Sequence, residues 1–386
     1  MKSTFLLKTT DGASWAATLA WHLKKEGVKI DAVLPDIKGT YAKNWQDIAE
    51  NIYLVDLNIR GRQALAFRRK AEELKVSLLE SEPDIVHSCF MDTTLVARLA
   101  LCDVPNIKLV FHVPGPLHLE NALTRCIDLR TARKHDYWIS SSNRTYDIYR
   151  KYGVSPKKLF LAYYGLDTQA VTKYMNTDSS DLEALLERYS IPHDAIKIIN
   201  ANMFYPPKRW LGQRVGVKNH EGLIRAMRLI LDKREDAVLV LVGKQWGKGV
   251  GYEEYLKEKA RKSCGNKIIF TGYLEQDSLF KLYCATDLVV HVPTSENCGG
   301  IVEPALLEKP IIAGPVGGLR EIIEEGVTGW LTDDIKPRSI AKKVLEVLNL
   351  RDLWKSVGAR AREKVESLFD IETTAREVIR IYDKLA

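Results

Sequence analysis

The chain has 386 residues, of which 46% are hydrophobic and 28% charged, with a net charge of +7. That composition buries real cores and excludes a disordered or solenoid chain, and at ~100–200 residues per domain the length favours two domains. Lys8 and Asp11 break the only apolar run at the start, no stretch approaches the ~20 apolar residues of a membrane span, and the six cysteines form no C-x-x-C pair. A secretory signal, a membrane anchor, a zinc site and a disulfide framework are therefore not expected, and a cytoplasmic location is.

From the N-terminus onward, short apolar runs alternate with stretches of helical periodicity. Residues 4–7, 30–34, 52–55, 85–87, 109–112 and 137–140 read as strands, with helices such as 14–26 and 62–75 between them. Residues 164–167 close the first half. In the second half, 196–200, 238–242, 268–270, 288–292, 310–313 and 330–332 read as strands, separated by helices at 219–231, 253–262, 277–284 and 340–348. Helical patterns over 350–367 and 371–385 end the chain. Strand–helix alternation predicts an α/β fold with parallel sheets, and runs such as 237–243 are apolar on both faces, as buried parallel strands are. The expected division is a first domain over 1–170, a second over 171–365 and a terminal helix over 366–386.

Charge is unevenly placed. Residues 1–175 hold 25 Lys and Arg against 19 Asp and Glu, and the remainder holds 32 against 31. The densest basic segment is 58–70, with Arg60, Arg62, Arg68, Arg69 and Lys70 beside Leu65 and Phe67. Such a segment suits an anionic membrane surface, or packs Leu65, Leu74 and Leu78 into a core while its cations are solvated. No basic–aromatic motif for nucleic acid is present.

Candidate site residues gather where strands end. Gly12 and Ala13 follow the first strand, without the G-x-G-x-x-G of a nicotinamide dehydrogenase. His112 ends another strand, ahead of Arg130 and Arg133, which suit an acceptor phosphate or a solvated helix face. In the second half, Lys218 follows the 205–214 stretch that carries Arg209 and Arg214. The richest loop is His291-Val-Pro-Thr-Ser-Glu-Asn-Cys-Gly-Gly-Ile-Val-Glu303. Glu296, Asn297, Gly299 and Gly300 precede a short helix beginning near Ile301. Glycines ahead of a helix let backbone N–H groups reach a phosphate. Glu303, in the first turn, either reads vicinal ribose hydroxyls or caps the helix. A second glycine-rich loop runs from Gly314 through Gly317 and Gly318 to Glu321.

These motifs resemble those of family 4 retaining glycosyltransferases, which have the GT-B fold. Glu303-Pro-Ala-Leu, Lys309-Pro310, Gly317-Gly318-Leu-Arg-Glu321 and Thr328-Gly329 follow the family signature in order and nearly in spacing. Tyr164-Gly165-Leu166-Asp167, Phe270-Thr-Gly272 and Lys218-Asn219-His220-Glu221 resemble other family motifs. The family's two glutamates stand eight positions apart; Glu296 and Glu303 stand seven apart.

The resemblance implies two Rossmann-like domains facing across a cleft, with the terminal helix over 366–386 crossing back to the first. It also implies transfer of a sugar from a UDP- or GDP-linked donor to a hydroxyl acceptor, with retention and with no metal or other cofactor. The acceptor is a glycan, a lipid-linked group or a small molecule. On this reading His112, Glu296, Lys218 and Arg214 serve catalysis. Gly12, Ala13, Arg209, Asn297, Gly299, Gly300, Ile301 and Glu303 bind the donor, with either Arg209 or Arg214 on the diphosphate. A sugar-nucleotide epimerase and a non-catalytic nucleotide-sugar binder are the rival readings. The sequence carries no signal of oligomeric state.

Overall fold

The computed structural model describes all residues except 60, 210–211, 248–250 and 386, and describes only the backbone of 62–64. The chain divides into two compact units, one formed by 1–167 with 368–386 and the other by 168–367.

The first unit is built on seven parallel strands: β1 (Lys2–Leu6), β2 (Lys29–Leu34), β3 (Ile52–Leu54), β4 (Ile85–Ser88), β5 (Lys108–Val113), β6 (Asp136–Ser140) and β7 (Leu159–Leu161). Their order is β3-β2-β1-β4-β5-β6-β7. The strand β7, three residues long and directly after the Pro156–Lys158 turn, carries too short an apolar run to stand out in the sequence. The second unit holds β8 (Ile196–Ala201), β9 (Ala237–Val242), β10 (Ile268–Gly272), β11 (Leu288–His291), β12 (Ile311–Ala313) and β13 (Trp330–Leu331). Their order is β10-β9-β8-β11-β12-β13.

Both sheets therefore reverse direction of growth at one point, between β1 and β4 and between β8 and β11. Loops leaving the carboxyl ends on either side of such a point diverge to opposite faces and leave a crevice for a ligand. Every candidate loop identified above leaves a strand at this end.

The cores are apolar on both faces of each sheet, as parallel sheets require. The helix Ser14–Lys25 buries Ala16, Leu19, Ala20 and Leu23 in one cluster with Phe5, Ile30 and Trp45. The final helix, Ile371–Leu385, joins that cluster through Ile371, Ala375, Val378, Ile381 and Tyr382. The Tyr382 hydroxyl also meets Ser3 Oγ at 3.1 Å and His87 Nδ1 at 2.6 Å. The last helix thus belongs to the first unit by both burial and hydrogen bonding.

The basic segment differs from expectation. Gly61–Ala66 is a 3-10 turn and the α-helix begins at Phe67, running to Ser81. With 3.0 residues per turn in place of 3.6, Leu65 falls out of register with Leu74 and Leu78. Leu74 and Leu78 are buried, whereas Leu65 is 92% exposed. Lys70 is buried too, donating to Asp56 Oδ2 at 3.0 Å and to the Asn58 carbonyl at 2.6 Å. It is therefore not part of any cationic surface. Arg60 and the side chain of Arg62 lie outside the described residues.

A buried polar cluster ties the helix Ala122–Arg130 to the first sheet. Arg98, 4% exposed, donates through Nε to Asp136 at 2.8 Å and pairs through Nη1 with Asp128 at 2.9 Å. Tyr149 donates to Asp128 at 2.7 Å, and His118 Nε2 lies 3.3 Å from the same oxygen. Burial would raise the Asp128 carboxyl, but His118 and Arg98 outweigh it and hold it below the usual range. Removing the cation would strand two buried carboxylates. Arg98→Ala should cost ~3–5 kcal/mol, read as a lower urea midpoint at unchanged m-value. A loss below ~1 kcal/mol would show that the pairs do not hold this helix.

Candidate active site

In the second unit the loops after β8 and β11, on either side of the switch point, close on each other. Thr294 donates through its backbone N–H to the Val217 carbonyl at 2.8 Å, and its hydroxyl donates to the same oxygen at 3.2 Å. Asn219, with φ 55, sends its amide to the carbonyls of Val292 and Ile335, both at 3.0 Å. Lys218 is thereby held between two tethered residues, and its ammonium donates to Glu296 Oε2.

Glu296 is the centre of the cluster. His291, at the end of β11, places Nε2 3.1 Å from Glu296 Oε2, and the Asn297 backbone N–H donates to Oε1 at 3.0 Å. Burial would raise this carboxyl, but Lys218 and His291 outweigh it and hold its pKa down at about 2. The second glycine-rich loop supports the first by close approach. Gly317 has φ +56, and a Cβ there would overlap the Glu296 carbonyl oxygen. Only glycine meets both demands.

Glu303 lies in the helix Val302–Leu306, which is five residues long. It is half-buried, and its pKa is raised by burial, with the Glu296 charge adding to the shift. Two carboxyls of opposite tendency therefore share one site, which is how two roles are divided between like groups. Ile301 is fully buried, so any contact it makes with a ligand is through its backbone N–H. Gly299 is exposed and Gly300 has φ +78. With so short a helix, individual N–H groups rather than a macrodipole would face an anion. Arg209 and Arg214 are both exposed on the loop leading to Lys218. Among the hydrogen bonds and ion pairs of the described residues, neither reaches Glu296, Lys218 or His291.

The first unit presents its own strand-end group. Gly12 (φ 79) and Ala13 (φ 55) turn the chain into the helix Ser14–Lys25. Thr10 donates to Asp36 at 2.7 Å, and Asp11 accepts from Thr40 N at 3.0 Å, so this loop is pinned to the one after β2. His112, in β5, is fully buried among Trp15, Tyr164 and His87, with ring centroids 5.5, 4.9 and 5.3 Å away. Burial pushes its pKa down to about 3, so the ring is neutral at physiological pH.

Sequence reasoning assigned no role to His291 or Asn202, although both belong to the Glu296 cluster. The available signal was a histidine closing an otherwise apolar buried strand five positions before the glutamate.

Residues 12–170 match the family model described as Glycosyltransferase Family 4, and residues 210–364 the one described as Glycosyl transferases group 1. An uncharacterised glycosyltransferase of Methanocaldococcus jannaschii is 24% identical over 259 residues, covering 66% of this chain and 59% of that protein. A D-inositol 3-phosphate glycosyltransferase of Streptomyces scabiei is 25% identical over 242 residues, 61% of this chain and 51% of that one. The chain therefore spans only part of the length of these curated relatives. The solved Anabaena HepE, in complex with UDP and glucose, superposes with a TM-score of 0.81 at 18% identity, covering 99% of each chain. Two Rossmann-like units, each with strand-end loops gathered at its switch point, are the architecture of the GT-B fold. The chain belongs to family 4, the group 1 glycosyltransferases.

The ion pair at Glu296 makes a testable statement about pH. A folded pKa of about 2, against 4.5 for the free group, gives stability that is present above pH 4.5 and lost as pH falls towards 2. Lys218→Met removes the stronger opposing charge, so the variant should be roughly 3–5 kcal/mol less stable at pH 7. The gap should narrow by pH 3, as urea denaturation at the two pH values will show. A gap independent of pH would mean that Glu296 does not depend on Lys218.

Proposed function

We propose that the chain is a retaining glycosyltransferase that moves a sugar from a UDP- or GDP-linked donor to a hydroxyl acceptor without a metal ion. The observation that carries this reading is the cluster of Lys218, Glu296 and Glu303 at the switch point of the second sheet. Cleaving the anomeric bond leaves negative charge on the departing diphosphate and positive character on the sugar. Lys218, with Arg209 or Arg214 and the N–H groups of Gly299, Gly300 and Ile301, supplies preorganised positive charge for that leaving group. Glu303 takes the ribose hydroxyls, and its raised pKa falls as they donate to it. Glu296 faces the developing positive charge. With the nucleophile on the same face as the leaving group, the diphosphate itself takes the acceptor proton. The UDP and glucose bound by HepE support a nucleotide-sugar donor.

Glu303→Ala should weaken UDP or GDP binding about 10- to 100-fold, the loss of ~1.5–3 kcal/mol of charge-assisted hydrogen bonds. Glu296→Ala should keep nucleotide affinity and lose turnover. Thermal shift with the nucleotides and nucleotide release from their sugars separate the two, and release should persist in EDTA. Equal behaviour of both variants would overturn the division of roles, and activity restored only by magnesium would overturn metal independence.

For the acceptor, the proposal includes contact between the first unit and an anionic membrane. Among the described residues, no helix is long and apolar enough to cross one. Exposed Leu65 stands beside exposed Arg68 and Arg69. The helix Ala122–Arg130 turns Asp128 inward and leaves Leu123 68% and Ile127 37% exposed, on one stripe with Arg130. Aliphatic groups rimmed by arginines suit the headgroup boundary, each cation contributing ~1 kcal/mol. Co-sedimentation with anionic liposomes should weaken steeply with salt. It should fall in L65S/R68S/R69S and in L123S/I127S, with nucleotide affinity retained. No sedimentation at low ionic strength would point to a soluble acceptor.

A further inference from the structure

Three side chains behind Glu296 form with it a line of hydrogen bonds whose polarity is fixed from one end. Asn200 Nδ2 donates to the Val290 carbonyl at 2.7 Å, which leaves Asn200 Oδ1 to accept. Asn202 Nδ2 stands 3.3 Å from that oxygen and 3.2 Å from His291 Nδ1. An amide nitrogen can only donate, so His291 Nδ1 is the accepting nitrogen and the ring carries its proton on Nε2. That Nε2–H points at Glu296 Oε2, 3.1 Å away. The ring itself cannot retreat: it is 1% exposed, and a Cβ on Gly300 would lie 2.6 Å from its Cε1.

Glu296 therefore has three donors of different character. The Asn297 N–H is backbone, and the His291 N–H is a neutral, immobile side chain. Lys218 is the long, charged one, on a flexible four-carbon stem. On the proposed function, Lys218 must turn to the leaving diphosphate, at the moment when Glu296 must not move. We propose that His291 is a positioning residue: its Nε2–H, set by Asn202, keeps the Glu296 carboxylate in place while the Lys218 ammonium is drawn to the donor. This deepens the glycosyl-transfer reading and rests on it. The charged and titratable groups facing His291 are Glu296 on its own loop, Lys218 on the loop after β8, and His220 at the start of the following helix. The same relay makes the protonation of the ring switchable by one substitution. An aspartate at 202 accepts rather than donates, so Nδ1 must then carry a proton, and with Glu296 accepting at Nε2 the ring becomes an imidazolium between two carboxylates.

The test uses the full-length protein, with UDP and GDP as binding probes and nucleotide release from their sugars as turnover. His291→Leu should lower kcat about 10- to 100-fold while nucleotide affinity stays within about twofold, and His291→Gln, which keeps an N–H donor, should recover part of the loss. The imidazole 15N spectrum of the wild type should show the Nε2–H tautomer of His291. Asn202→Asp should convert it to the doubly protonated form at neutral pH and add an ionisation to the rate profile. Unchanged kcat in His291→Leu, or a parallel loss of affinity, overturns the proposal. So does a wild-type Nδ1–H tautomer, a readout that stands even if no nucleotide sugar is turned over.

Discussion

Glu296 carries a negative charge in a place that burial makes unfavourable for it, and the organisation of the second unit's strand-end loops follows from offsetting that cost. Lys218 supplies the charge, His291 a neutral donor and Asn297 a backbone donor. Each must be delivered by a different piece of chain. The Lys218 loop is clasped to the Glu296 loop through Val217 and Thr294, and again through Asn219. The Glu296 backbone is in turn braced by Gly317, at a separation no other residue permits. A charge left without these partners would be costly in proportion to its burial. The loops are therefore held in register by the same interactions that poise the site.

This arrangement depends on topology before it depends on any residue. β8 and β11 are neighbours in the sheet although about ninety residues separate them in sequence. Their following loops emerge side by side only because the strand order reverses between them. The first unit repeats the geometry, with the Gly12–Ala13 turn after β1 and the His112 strand next but one. Its chemistry is different: a loop pinned through Asp11 and Asp36, and a neutral histidine among aromatic rings. One topology thus hosts a buried glutamate–lysine pair in one unit and an aromatic-lined histidine in the other.

The first unit also inverts the usual distribution of polarity around the helix Ala122–Arg130. Asp128 faces inward, where Arg98, Tyr149 and His118 satisfy it, and aliphatic side chains face out. Keeping a carboxylate inside requires a buried guanidinium bridging to Asp136, a cost that an ordinary amphipathic helix would not carry. The outward stripe is the surface that the membrane proposal uses.

Strand–helix alternation, and runs apolar on both faces, were enough to read two parallel α/β units, because periodicity and burial are local consequences of side-chain type. That Glu303, Lys218 and the glycines of the 299–300 and 317–318 loops follow strand ends was legible for a similar reason: an apolar run, then glycine or polar residues, then helical periodicity is a local pattern. Leu65 was misread, since a 3-10 turn and an α-helix look alike over one turn of sequence while placing side chains differently. Lys70 looked like surface charge until Asp56 and the Asn58 carbonyl, 14 and 12 positions earlier in the chain, were brought to it. His291 and Asn202 are 89 positions apart. No spacing rule links them, and only the adjacency of β8 and β11 turns two unremarkable polar residues into a fixed donor on Glu296. The sequence by itself determined which elements form and which loops carry charge. The tertiary structure decided which of those charges meet, because hydrogen-bond polarity and desolvation depend on neighbours that folding alone supplies.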